Sequence, residues 1–326
     1  MKIELIRPCK IIPANDRVFD SVVGQTSAIK KIKFFLQSHN ETTPFPTLIF
    51  TGSQGLGKSL TAQKVAEAMD RQLIEINCGG LDTVEDFVEK ILIGKVIGNK
   101  QTTLFFDEAH KLSSELTTLL LTLLNPNNQN KNEFTYKNAN YIFNLNYINV
   151  IFATTDSYRI FTPLINRCVE IYFDLYSNNE LFRILSNYVN PIKITCSPED
   201  IAYACRGRAR DAFIMSQNIK RYCIQHRINC FDTKSWEELK EIFDIFPMGL
   251  NGKEIKLMDI LAFHSNLSKN SIAAKMGINT DNIESDIEIR PKELGFILSD
   301  IRGRSLTDSG KKYIKKYNLI RNRITV

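Results

Sequence analysis

Short apolar runs recur along the first half of the chain, at Leu48–Phe50, Leu73–Ile76, Leu104–Phe106 and Val150–Ala153, with helical patterns between most of them. This alternation predicts a parallel sheet covered on both faces, over about Phe19 to Tyr176. The stretch from Asn125 to Asn149 interrupts it with many asparagines and with Phe134, Tyr136, Tyr141, Phe143 and Leu145 alternating among polar residues. Asn138, Ala139 and Asn140 supply a turn, so residues 133–147 are expected to form a projecting β-hairpin, with an Asn-rich loop as the alternative. From Asn179 to Phe246 the period is helical, with Pro191 and Pro198 as breaks. Beyond Gly249, helices are expected at Ile255–Phe263, Ser271–Met276 and Asn282–Ile289, with Gly277 in a tight turn and Thr280-Asp281 as a cap. A strand over Leu294–Leu298, a tip at Arg302-Gly303-Arg304 and a return over Ser305–Thr307 complete the layout of a winged helix.

Composition narrows the class. The 326 residues are too many for one ordinary domain, and the hydrophobic and charged shares of 43% and 24% are those of soluble globular proteins. The longest apolar stretch, Leu116–Leu124, is short of a membrane span and is interrupted by Thr117, Thr118 and Thr122. The opening residues lack the apolar core of a signal peptide. Seven cysteines lie scattered with no C-x-x-C pair, which points to a reducing, cytoplasmic setting rather than a disulfide framework or zinc site. The net charge of +6 is unevenly placed: Arg302, Arg304, Lys311, Lys312, Lys315, Lys316, Arg321 and Arg323 face a single acid, Asp308, near the C-terminal end. Such an end is either a solvated tail or a nucleic-acid surface.

The chemistry is carried by two motifs. Residues 52–59, Gly-Ser-Gln-Gly-Leu-Gly-Lys-Ser, follow an apolar strand and open a helix over Leu60–Met69. Glycines there let successive backbone N–H groups turn toward an anion, and the helix N-terminus adds partial positive charge. Lys58 is placed to reach the β- and γ-phosphates of a nucleotide, and the Ser59 hydroxyl to take a position on Mg²⁺. The second motif, Phe-Phe-Asp-Glu-Ala-His, ends a further strand at His110. Asp107 is expected to hold the hydrated Mg²⁺ and Glu108 to polarise the attacking water. Together they predict binding and hydrolysis of a nucleoside triphosphate.

In this order, P-loop core, helical segment and winged helix resemble the RuvB family, the AAA+ motors of Holliday-junction branch migration. The similarity runs from Arg7-Pro8 to about Ile314. It includes Phe19–Gln25, Gly55–Lys58 (with Ser53-Gln54 in place of the family's Pro-Pro), Asp107–Ser113 (with Ala109 for Ile) and Ala153-Thr154-Thr155 (followed by Asp156 for Arg). The resemblance implies an α/β AAA+ P-loop core over residues 1–176, an all-α lid over 177–247 and a C-terminal winged-helix domain over 248–326. It implies ATP contacts from Ile6, Arg7, Val23, Gly52, Gly55, Leu56, Gly57, Lys58, Ser59, Leu60, Thr155, Tyr176 and Arg210. Arg210, in Gly207-Arg208-Ala209-Arg210, corresponds to the lid arginine that senses the γ-phosphate. Arg167, in Pro163-Leu164-Ile165-Asn166-Arg167-Cys168, corresponds to an arginine finger reaching a neighbouring subunit's ATP. Arg304 matches a DNA-contacting wing arginine, Arg302 lies beside it, and Ser299 replaces the family's first wing arginine. The implied whole is a hexameric ring driving four-way DNA junctions, with a RuvA-type partner docking on the hairpin. Two rivals stay open: a DEAH-box helicase, for which no second RecA-like half is visible after Tyr176, and an ATP-switched DNA-binding protein of initiator or clamp-loader type, which Asn166-Arg167-Cys168 favours.

Overall fold

The computed structural model describes every residue except 1, 7–9, 41, 82, 99–100, 265 and 325–326, and only the backbone of 317–324. By its internal contacts the chain divides into two units: Met1–Glu180 with Arg208–Arg210, and Leu181–Gly207 with Asp211–Val326. The expected boundary between lid and winged helix, at 247/248, falls inside the second unit.

The first unit is built on a five-stranded parallel sheet, order β3-β4-β7-β2-β8, formed by β2 (Leu48–Thr51), β3 (Gln72–Asn77), β4 (Thr102–Asp107), β7 (Ile148–Thr154) and β8 (Val169–Tyr172). Every residue of β2 and β7 is buried, as is β4 up to Asp107, because inner strands of a covered parallel sheet have no solvent face. Helices α1 (Thr26–Ser38), α2 (Lys58–Ala68), α4 (Ser114–Leu123) and α5 (Thr162–Ile165) accompany the sheet, together with α3 (Val84–Asp86), which runs on as a π-helix over Phe87–Val96. The edge strand β8 alternates in burial and is absent from the sequence reading.

The hairpin forms, with β5 (Lys131–Tyr136) antiparallel to β6 (Ala139–Asn144). Its turn is Lys137-Asn138, both with positive φ (43° and 63°), rather than Asn138–Asn140. Nor does it project. β1 (Lys2–Glu4) pairs parallel with β6, Phe134, Tyr141 and Phe143 are buried in the unit's core, and Tyr136 donates to Glu89 at 3.0 Å. An aromatic face of that size is stable only when covered. The asparagines serve backbone carbonyls: Asn132 Nδ2 donates to Leu123 and Asn125 carbonyls at 2.9 and 3.0 Å.

In the second unit, α6 (Asn178–Val189), whose first residues belong to the first unit, is followed by α7 (Pro198–Ala204), α8 (Ala209–His226) and α9 (Thr233–Ile242). A two-stranded sheet joins β9 (Lys193–Ile194) and β10 (Cys230–Phe231). The winged helix follows, with α10 (Gly252–Phe263), α11 (Lys269–Met276), α12 (Thr280–Asn282) running into a π-helical turn over Ile283–Ile287, and α13 (Ile289–Glu293). Its wing is β11 (Ile297–Asp300) against β12 (Gly303–Leu306), and α14 (Asp308–Ile324) closes the chain. Asn279, not Thr280-Asp281, caps the third helix, accepting from Asp281 N. The strand begins at Ile297 because Leu294-Gly295-Phe296 turns out of α13 with Gly295 at φ 67°. Among the described residues, no helix is long and apolar enough to cross a membrane.

Candidate active site and winged-helix surface

Parallel topology brings the carboxyl ends of β4, β7 and β2 side by side, and these ends carry Asp107, Thr155 and the P-loop. Gly57 precedes α2 with φ 91°, which a side chain rarely adopts, and a Cβ there would stand 3.1 Å from the Tyr176 hydroxyl. Since Gly57 offers no side-chain cap, the first N–H groups of α2 remain available to an anion. Lys58 is buried, its ammonium donating to the Gly52 and Ser53 carbonyls at 2.6 and 2.7 Å. Burial lowers it to about 8, with the Asp107 carboxylate opposing and Arg210 adding to the fall, so it stays protonated at neutral pH. Ser59 and Leu60 are exposed on the first turn of α2, while the Leu56 side chain is buried.

Asp107 Oδ1 accepts from Glu108 N at 2.9 Å. Glu108 has φ 54°, the left-handed conformation, and its Oε2 meets Lys111 Nζ at 2.6 Å, which holds the carboxyl below the usual range. Behind it His110 Nδ1 lies 3.1 Å from Thr154 Oγ1, which also accepts from Asp156 N at 2.9 Å. Thr155 is exposed beside them.

Three further segments border the P-loop. Tyr176 donates to the Leu56 carbonyl at 3.1 Å, and burial pushes its phenol up to about 12. Gln25 Nε2 donates to Asp174 O at 2.7 Å while its Oε1 accepts from Asp174 N at 3.1 Å. Half-buried Val23 lies two residues before it. Arg210 N donates to Gly55 O at 3.2 Å, so the Arg208–Arg210 segment belongs to this site. The segment ending at Gln25 was expected beside the base on the resemblance, whereas Arg208 and Lys111 escaped the sequence reading as site residues. Only the i, i+3 spacing of Glu108 and Lys111 could have signalled one of them.

Ile6 is buried at 3% exposure in the core shared with the hairpin, which leaves its side chain no surface for a ligand. Arg7 lies outside the described residues. Arg167 stands apart from the P-loop, its Nη1 donating to Pro163 O at 3.1 Å and Nη2 to Asn125 Oδ1 at 3.5 Å. Its side chain lines a cavity of about 340 Å³ with Thr118, Leu121, Asn132 and Glu133.

In the winged helix the structure corrects the expected tip. Ile301 and Arg302 form it, both exposed, with Arg302 N capped by Asp300 at 2.8 Å. Gly303 lies in β12, where a Cβ would meet Leu267 O at 2.5 Å; the missing side chain admits the Leu267 backbone, which pairs with Arg304. Arg304 does not splay outward. It donates to Glu288 Oε2 at 3.1 Å and to Glu284 Oε1 at 2.5 Å, and only 12% of its side chain is exposed. Two carboxylates occupy the guanidinium that the resemblance assigned to DNA.

Comparison with known proteins agrees with this architecture. The family model described as "ATPase family associated with various cellular activities (AAA)" matches residues 48–175, and that of the "RuvB C-terminal winged helix domain" matches residues 247–315. A Holliday junction branch migration complex subunit RuvB from Prochlorococcus marinus is 27% identical over 313 residues, 92% of this chain and 87% of that one. The corresponding protein of Mycoplasma genitalium is 24% identical over 94% of this chain and 99% of its own. The structure of the Thermotoga maritima RuvB branch migration motor superimposes with a TM-score of 0.74 at 20% identity, over 95% of this chain and 98% of that one. The chain is thus similar to RuvB proteins along nearly all of its length, and it is an ATP-hydrolysing enzyme with an AAA domain and a RuvB-type winged helix in one polypeptide.

Proposed function

We propose that this ATPase drives branch migration of four-way DNA junctions in recombination and repair, working in the cytoplasm as a homo-oligomeric, hexameric ring. The observation that carries the reading is the union of a P-loop site, with Lys58 opening α2 after β2 and Asp107 and Glu108 at the end of β4, one strand away across β7, and a RuvB-type winged helix. Lys58, the first-turn N–H groups of α2, Gly52, Gly55 and Gly57 hold the phosphates. Exposed Ser59 and the Asp107 carboxylate suit Mg²⁺, which prefers few protein oxygens and keeps waters and phosphates as its other ligands. When bound, the metal neutralises charge on the phosphates. Glu108 orients the attacking water once it leaves Lys111. Tyr176 and Val23 flank the base, Arg210 and Thr155 respond to the γ-phosphate, and Arg167 completes a neighbour's site. The position of Arg167, away from its own P-loop, supports a role in trans.

Duplex arms are held through phosphates at the wing, with Arg302 as the contact and Arg304 as the brace that positions it. A RuvA-type partner on the hairpin is part of the proposal; its exposed residues, rather than the buried aromatic face, would meet it. The test is strand exchange on a synthetic four-way junction with ATP, with and without a RuvA-type protein. ATP-dependent junction binding without strand exchange under both conditions would sink the motor reading and favour an ATP-switched binder.

A further inference from the structure

The helix of the winged fold that usually enters a DNA groove is acidic here. Over 280–289 it carries Asp281, Glu284, Asp286 and Glu288, and the cations that follow in α13 are paired with acids, Arg290 with Glu293 at 3.2 Å and Lys292 with Glu288 at 2.5 Å. Asp281, Glu284 and Asp286 are exposed. The nearby cations are already engaged: Lys269 lies 3.8 Å from Asp281 and 2.9 Å from Glu284, and Arg304 bridges Glu284 and Glu288. A surface of this sign repels a phosphate backbone.

The opposite charge stands on α14, which begins two residues after the wing ends. One side of this helix is fixed by packing: a Cβ at Gly310 would meet Phe296 O at 2.4 Å, Ile314 is buried, and the Tyr313 and Phe296 rings lie 5.0 Å apart. At about 100° per residue, Lys311, Lys312, Lys315 and Lys316 fall on the other side, one helical turn apart in two pairs. All four are exposed, and Lys311 has a surface ion pair with Asp308 at 3.6 Å.

We propose that this lysine face of α14, following Arg302 in the chain, is a second phosphate-binding surface that holds duplex DNA, while the acidic helix stays clear of the groove. The inference rests on the duplex-binding reading above. Lysines contact phosphates as point charges without reading bases, so the grip is independent of sequence, as a translocating motor needs.

The test compares the full-length protein with K311Q/K312Q/K315Q/K316Q and with Arg302→Ala, by fluorescence anisotropy of labelled duplexes of two unrelated sequences across a salt series. Each phosphate contact contributes about 0.9 to the slope of log K against log salt, so the quadruple variant should lose roughly three to four units and Arg302→Ala about one. The four lysines are exposed, so the melting temperature should not move. D281N/D286N should bind duplex more tightly than wild type. A quadruple variant with the wild-type slope, beside an Arg302→Ala slope that falls, overturns the lysine face and leaves the duplex reading standing. Absence of salt-dependent duplex binding by the wild type overturns both. Loss of binding to anionic vesicles with duplex binding unchanged assigns the face to a membrane instead. Weakened, sequence-selective binding by D281N/D286N places the acidic helix in the groove and also refutes the proposal.

Discussion

Arg206→Ala tests what holds the second unit together. Arg206 Nη1 and Nη2 donate to Glu254 Oε1 and Oε2, each at 3.0 Å, and the Glu254 side chain is 1% exposed. Glu254 also completes a capping box at the start of α10, its Oε2 accepting from Asn251 N at 2.7 Å. Burial pushes the Glu254 carboxyl above its usual range, with the Arg206 guanidinium opposing. Deleting the guanidinium leaves that carboxylate to ionise unpaired or take up a proton. Breaking one side of a buried pair costs about 3–5 kcal/mol, and the retained Asn251 hydrogen bond favours about 3 kcal/mol. At about 2–4 °C per kcal/mol, the calorimetric transition of this unit should fall by roughly 6–12 °C. The pH dependence has a definite sign. A carboxyl with a raised folded pKa favours the native state below its unfolded pKa and loses that advantage as pH rises through the folded value. Without Arg206 the folded value rises further, so the deficit against wild type should be larger at about pH 7.5 than at about pH 5. Hydrogen exchange should speed up in α10 and α7, and adding Glu254→Gln should restore much of the loss. A variant melting within about 1 °C of wild type, or a deficit that grows toward acid pH, would refute the reasoning.

Glu108→Gln should keep ATP affinity and lose about 10²–10⁴ in turnover, measured by phosphate release, because the phosphate cradle survives and the water-orienting carboxylate does not. Arg167→Ala should lose about 10³ or more in ATPase with nucleotide binding intact. Mixing it with Glu108→Gln protein should restore part of the rate if the finger acts in trans; no recovery in assembled mixtures would count against a shared site. Gly57→Ala, forced into a left-handed φ against the Tyr176 hydroxyl, should weaken ATP binding about tenfold by calorimetry, equivalent to about 1.4 kcal/mol.

What was legible in the sequence was whatever short-range pattern enforces. β2, β4 and β7 each hold a run of three or more apolar residues because they are covered on both faces, and the P-loop and Asp107-Glu108 announce themselves by spacing. The hairpin was visible in its alternating aromatics. Edge strand β8 was not, because Val169-Glu170-Ile171-Tyr172 alternates in burial and spans only four residues. Alternation also cannot say what covers an apolar face, so the packing of Phe134 and Tyr141 against the core became visible only in three dimensions. Arg304 marks the same limit at the other end. An arginine beside a glycine in a wing suits a phosphate or a carboxylate equally well. Glu288 and Glu284 lie 16 and 20 residues away in sequence, and the fold alone brings them to the guanidinium. Lys111 and Glu108, one helical step apart, could have been paired by inspection. By itself the sequence determined the nucleotide chemistry and the order of the elements, because both depend on neighbours along the chain. Tertiary structure decided which charges remain free to meet DNA, because ion pairing depends on distance in space.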